Sequence, residues 1–178
     1  MAITVILEGT NGIGKTSVCE KLEIWLKSLS VNYTYFHDTD IFESVLDENN
    51  LFDLDDLINE RRDLYQEMRE DYDVILLDRS FMSTIIYNLT TMSNDAIDNY
   101  VFKELLNLRP FPSDKLLTFV LINDCEDERS NEYVELSHYL LLNFHTQSRV
   151  WHTHGDLERT FNVIKDDIFA ELKHDEII

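Results

Sequence analysis

Three glycines within six positions, Gly9, Gly12 and Gly14, constrain this chain of 178 residues more than anything else in it, because it holds only four glycines. They sit in Leu7-Glu8-Gly9-Thr10-Asn11-Gly12-Ile13-Gly14-Lys15-Thr16-Ser17, which fits G-x-x-x-x-G-K-[ST]. Glycine tolerates positive φ and carries no Cβ to keep a ligand away. Successive backbone N–H groups can then turn inward as an anion nest. Before the loop, Ala2 to Leu7 is a near-continuous apolar and β-branched run, the pattern of a buried parallel strand. After it, Val18, Leu22, Trp25 and Leu26 recur at helical spacing. A plain turn matching by chance would lack that order of strand, loop and helix. The motif therefore predicts phosphate binding by Gly9, Thr10, Asn11, Gly12, Ile13, Gly14, Lys15, Thr16 and Ser17. Lys15 would reach the β- and γ-phosphates of ATP, and the Thr16 hydroxyl would ligate Mg²⁺.

Net charge narrows the partners. The chain carries 35 acids against 15 bases, a formal charge of −20. Such a surface repels nucleic-acid backbones and anionic membranes, so neither is an expected partner. It also repels a triphosphate at long range, so the few cations near the loop must act locally, with Mg²⁺ offsetting phosphate charge. Most of the acids read as solvated surface. No apolar run is long enough to span a membrane, and no basic segment followed by an apolar stretch opens the chain. Cys19 and Cys125 are the only cysteines and form no metal-like pair, which fits cytosolic thiols and a cytoplasmic protein.

No linker, repeat or low-complexity segment divides the sequence. Val31 to Phe36 reads as a second strand, Asp73 to Asp78 as a third, Leu116 to Ile122 as a fourth and Arg149 to Thr153 as a fifth. Asp53 to Glu70 reads as a charged helix with Leu54, Leu57, Ile58, Leu64 and Met68 as its apolar stripe. Further helices are predicted over Ser80 to Leu89, Asp95 to Leu108 and Asn131 to Phe144. The second of these stops at Arg109-Pro110-Phe111-Pro112, since proline cannot continue a helix. A last helix runs to about Leu172 with Asp156 as N-cap. Strands alternating with helices predict an α/β fold: a doubly wound, parallel, five-stranded sheet with helices on both faces. Ligands in such sheets bind beyond the carboxyl ends of the strands.

Asp78-Arg79-Ser80 falls at such an end. A carboxylate there would share Mg²⁺ or its waters with Thr16, and Arg79 would offer a planar fork to phosphate oxygens. In a plainer reading the aspartate caps a helix and the arginine lies on the surface. At this point the chain resembles a known family. Leu7-Glu8-Gly9-x-x-Gly12-x-Gly14-Lys15-Thr16 is similar to the phosphate loop of thymidylate kinases and their deoxynucleoside kinase relatives. Asp78-Arg79-x-x-x-Ser83-Thr84-x-x-Tyr87-Asn88 resembles the thymidylate kinase signature of Asp-Arg-Tyr, a serine pair and Tyr-Gln. The resemblance implies a P-loop nucleotide kinase fold over residues 1–178, with a short lid near 124–132. It implies transfer of the ATP γ-phosphoryl group to a deoxynucleoside monophosphate. Lys15, Asp78, Arg79 and Arg129 would be the catalytic set, and Thr16 and Asp78 would hold the metal. Glu8, Asn11, Asp38, Arg61, Arg62, Arg79, Ser83, Tyr87 and Asn88 would bind the acceptor. The resemblance alone implies a homodimer.

The sequence also departs from the family. Where members carry Phe-x-x-x-Arg before the third strand, Arg61 and Arg62 supply the cation, but Leu57 and Ile58 stand in place of the aromatic. Ser80 replaces a tyrosine, and Asp-Arg-Ser is similar to the Glu-Arg-Ser of deoxynucleoside kinases. Between Asn123 and Ser130 the only cation is Arg129, so this stretch reads either as a lid with one arginine or as an acidic surface loop. Asp38, in His37-Asp38-Thr39-Asp40, could take a proton from a nucleoside 5′-hydroxyl, or the segment could cap a helix. A deoxynucleoside kinase is thus the alternative enzyme, and a nucleotide-binding module of weak catalysis the alternative of another class. His152 and His154 lack a third ligand, which leaves a metal pair unsupported. The Asp-x-x-Gly and Asn-Lys-x-Asp motifs of GTPases do not occur.

Overall fold

The computed structural model describes residues 2–37, 40, 54–80, 83, 115–122, 147–153 and 155–178. Five strands, β1 (Ile3–Gly9), β2 (Tyr33–His37), β3 (Val74–Asp78), β4 (Lys115–Ile122) and β5 (Gln147–His152), form one parallel sheet in the order β2-β3-β1-β4-β5. Three described helices accompany it: α1 (Lys15–Ser28), α2 (Leu54–Asp71) and α3 (Leu157–His174). The predicted α/β architecture is observed, with boundaries shifted by one or two residues. The predicted helices over 80–89, 95–108 and 131–144 fall outside the described residues, apart from Ser80 and Ser83.

Alternation along β1 divides the core in two. Ile3, Val5 and Leu7 face α1 and α3, where they meet Val18, Leu22, Leu26, Ile164, Ile168 and Leu172. Ala2 and Ile6 face the other way, onto Tyr65 and Met68 of α2. Helices therefore cover both faces, which is why the strands read as continuous apolar runs and not as alternating ones. Each fully buried Leu or Ile contributes about 1.5–3 kcal/mol of transfer free energy. Trp25 is partly buried against the first cluster. Of the stripe predicted for α2, Met68 is buried and Leu64 packs partly buried against the same cluster, while the side chains of Leu54, Leu57 and Ile58 lie outside those described; Arg61 and Tyr65 are buried as well. The helix turns a cation inward, one that a count of apolar positions passes over.

The sheet places β1 centrally, with β3 on one side and β4 on the other. The strand order reverses at β1, and a crevice opens there at the carboxyl edge. Gly9, His37 and Asp78 end β1, β2 and β3 on that edge.

Candidate functional site: a phosphate loop beside Asp78 and Arg79

The loop between β1 and α1 is shaped by close packing as much as by φ. Gly9 lies at φ +143°, and a Cβ on it would come within 2.4 Å of the Leu121 carbonyl oxygen of β4. Gly14 lies at φ +97°, and its Cβ would meet Leu157 Cδ2 at 2.3 Å. The loop is thus wedged between β4 and the start of α3. Asn11, Gly12, Thr16 and Ser17 remain exposed, open to a ligand.

The start of α1 is left available to an anion. Its N-cap, Gly14, provides no side-chain acceptor, and no acid stands in its first turn. α3 shows the usual alternative: Asp156 caps it, accepting from Arg159 N at 2.9 Å, with Glu158 in the first turn. The unpaired N–H groups and dipole of α1 therefore favour an external phosphate.

Lys15 arches back over the loop. Its Nζ donates to the Gly9 carbonyl at 3.0 Å and to the Thr10 carbonyl at 2.8 Å. Burial, then the neighbouring Arg79 charge, lowers its pKa to about 8. Desolvation disfavours the charged form, and a second cation adds to it.

Asp78 is almost fully buried, and its Oδ2 accepts from the Thr16 hydroxyl at 2.5 Å. His37 Nε2 lies 3.4 Å from the same oxygen, and the Tyr35 hydroxyl donates to it at 3.5 Å. Burial first, then Cys19 and Asp78, push the Tyr35 phenol up, so it stays a donor. Oδ1 of Asp78 is buried with no hydrogen-bond partner among the described residues. An orphaned carboxylate oxygen next to a Thr hydroxyl is an oxygen donor set that suits Mg²⁺, which prefers hard oxygen ligands and shares them with phosphates. Among the described residues no group of three or more His, Cys, Asp or Glu forms a metal cage. Any Mg²⁺ here would take its remaining ligands from nucleotide phosphates and water.

Arg79 has φ +77°, a left-handed conformation that costs a non-glycine residue on the order of 1 kcal/mol. Its Nη2 donates to Asn11 Oδ1 at 2.5 Å and its Nη1 to Ser83 Oγ at 3.1 Å. Glu8, with no exposed surface, accepts from Ser80 N at 2.8 Å, from Ser80 Oγ at 2.5 Å and from Ser83 Oγ at 2.6 Å.

The structure thus brings Glu8, Asn11, Lys15, Thr16, Asp78, Arg79 and Ser83 together at one sheet edge. Arg61 is buried on α2, and the Arg62 side chain is not among those described. Asp38, Tyr87, Asn88, Arg129, the 124–132 segment and His154 lie outside the described residues. Sequence reasoning singled out the His37-Asp38-Thr39-Asp40 segment but gave His37 no role, and it missed Tyr35. The available signal was register: in parallel strands ending on one edge, His37 stands directly beside Asp78.

No protein-family model matches the chain. It is 30% identical over 165 residues to a protein of Acidianus bottle-shaped virus (isolate Italy/Pozzuoli) that bears the provisional name of a thymidylate kinase, covering 89% of this chain and 91% of the relative. The fold is similar to that of the thymidylate kinase crystal structure from Ehrlichia chaffeensis, with a TM-score of 0.61 at 16% identity, over 96% of this chain and 98% of that one.

Proposed function

The chain belongs to the thymidylate kinase family, and from that premise we propose that it transfers the γ-phosphoryl group of ATP to a deoxynucleoside monophosphate. The observation that carries this reading is the joining of two motifs far apart in sequence: Thr16 to Asp78 and Asn11 to Arg79. One motif is built to hold a triphosphate, and the other sets a cationic fork beside it.

In this reading the loop amides and the N-terminus of α1 hold the ATP phosphates. Lys15 exchanges the Gly9 and Thr10 carbonyls for phosphate oxygens, whose negative charge moves its pKa back up toward the ordinary lysine value. Thr16 and Asp78 would hold Mg²⁺, which would supply charge neutralisation at the phosphate oxygens. Arg79 takes the acceptor phosphate, oriented by Asn11 and Ser83. An acceptor phosphate is already ionised, so no side chain need remove a proton from it. Catalysis rests on positioning and charge stabilisation. The roles carried by Arg61, Arg62, Asp38, Tyr87, Asn88 and a lid arginine, Arg129, are part of the same proposal.

No described helix is long and apolar enough to cross a membrane. A cytoplasmic site of action accords with free nucleotides as substrates, and a homodimer is proposed on family likeness alone, with sedimentation as its check.

A panel assay tests the reaction. Mg-ATP is offered with each common nucleoside and each monophosphate, and ADP formation is followed by a coupled reaction. Turnover is expected with at least one deoxynucleoside monophosphate. Turnover with nucleosides alone would replace the proposal with a nucleoside kinase, and ATP binding without any transfer would replace it with a binding module.

A further inference from the structure

Glu8 carries a titratable group that the proposed transfer does not consume. It follows Leu7 on β1, and alternation sends it to the face opposite α1. A carboxylate with no exposed surface is costly unless donors match its oxygens. The donors are local and specific. Oε1 accepts from the Ser80 N–H at 2.8 Å and the Ser80 hydroxyl at 2.5 Å, and Oε2 accepts from the Ser83 hydroxyl at 2.6 Å.

These bonds bracket Arg79. Its own N–H donates to the Leu7 carbonyl at 3.0 Å, and the next N–H, that of Ser80, donates to Glu8. The left-handed residue is therefore clamped to β1 on both sides. Ser83 extends the clamp to the side chain, since its Oγ donates to Glu8 and accepts from Arg79 Nη1 at 3.1 Å. A strained backbone persists only where its surroundings over-determine it.

We infer that Glu8 is a positioning residue, not an acceptor contact: it holds the strained turn at Arg79 and, through Ser83, aims the guanidinium at the acceptor phosphate. This rests on the reading of Arg79 as the acceptor-phosphate cation. Glu8 lies on the same strand that delivers the phosphate loop, so one strand end would fix both substrates relative to each other.

Glu8→Gln keeps the shape of the side chain while replacing one acceptor oxygen with a donor. Ser83→Ala cuts the arm to Arg79 and leaves Glu8 intact. In the intact protein, the Ser80 amide should exchange hydrogen about tenfold faster in Glu8→Gln, with the amides of α1 unchanged. With dTMP, dCMP, dAMP and dGMP as acceptors, the KM of the acceptor used should rise about tenfold while that for ATP stays within about twofold, a change that uniform loss of folded protein does not produce. The double variant Glu8→Gln/Ser83→Ala should be no worse than the poorer single one, because both cut one chain of bonds. Unchanged Ser80 exchange would overturn the proposal. So would acceptor and ATP constants rising together with a fall in Tm, which marks a merely structural role. If the wild type phosphorylates no monophosphate, the kinase reading falls separately, and the exchange of Ser80 still decides whether Glu8 holds the turn.

Discussion

At the scale of single residues, Lys15 carries the sharpest chemistry. Burial and Arg79 lower its pKa to about 8, so near neutral pH the cation is held against a desolvation cost. Its folded-state pKa lies below the unfolded value, so between about pH 8 and 10.4 the unfolded chain binds more protons and this group's contribution to stability rises with pH. Below that window the cost is fully present. A bound triphosphate reverses the shift. Calorimetry of ATP binding at pH 8.5, in buffers of different ionisation enthalpy, should show net proton uptake that disappears in Lys15→Met; a buffer-independent enthalpy in the wild type would contradict it. Asp78 gives a second expectation. Asp78→Asn should raise the Mg²⁺ needed for half-maximal rate by about ten- to a hundredfold, read from metal titrations of activity and of ATP-induced thermal shift, and an unchanged requirement would remove Asp78 from the metal site. The motif made Lys15 legible in the sequence, and its depressed pKa was not, because that depends first on burial in the folded loop and then on an arginine 64 positions away brought beside it by the β1–β3 pairing. The roles of Tyr35 and His37 were hidden for the same reason.

At the scale of elements, the glycine loop and the two helices that meet it behave as one wedge. Gly14 combines φ +97° with a Leu157 methyl where its Cβ would be, whereas Gly12, at φ +78°, faces open space. Gly14→Ala should therefore cost about 2–4 kcal/mol, strain plus overpacking, and Gly12→Ala about 1 kcal/mol, strain alone. Urea denaturation of both variants checks the ranking, and equal losses would show that contact with α3 is immaterial. The strands were legible because parallel strands buried on both faces leave long apolar runs. The face of α2 was less so, since Arg61 occupies a buried position that hydrophobic periodicity assigns to apolar residues. The Asp156 cap was readable because capping is a local rule, needing only the residue and the helix after it.

At the scale of the whole molecule, the site and its anchor lie at opposite ends of the sheet. Lys115, at the start of β4, donates to Glu171 at 2.8 Å and to Asp175 at 2.5 Å, tying down the end of α3. The bonds to Asp175 and Glu171 raise the Lys115 pKa, and those from Lys115 and then His174 lower that of Asp175. A raised lysine contributes stability that is present below its unfolded pKa and lost as pH climbs through the folded one. A lowered aspartate contributes stability present above its unfolded pKa and lost as pH falls through the folded one. The clamp should thus act across the whole neutral range. Lys115→Met should lower Tm at pH 7 and lose that difference at pH 2, with the ATP KM unchanged at pH 7; a changed KM would mean that the clamp reaches the site. Strand order was predictable as a class from alternation of strands and helices, but which strand lies beside which came only from pairing. The account stands or falls on joining the phosphate loop to Asp78 and Arg79 in one kinase site. The most direct test mixes the protein with γ-labelled Mg-ATP and a deoxynucleoside monophosphate and identifies the labelled product. The account predicts a labelled deoxynucleoside diphosphate from the wild type and none from Lys15→Met. Equal labelling by both proteins, or label appearing only as free phosphate, would contradict it.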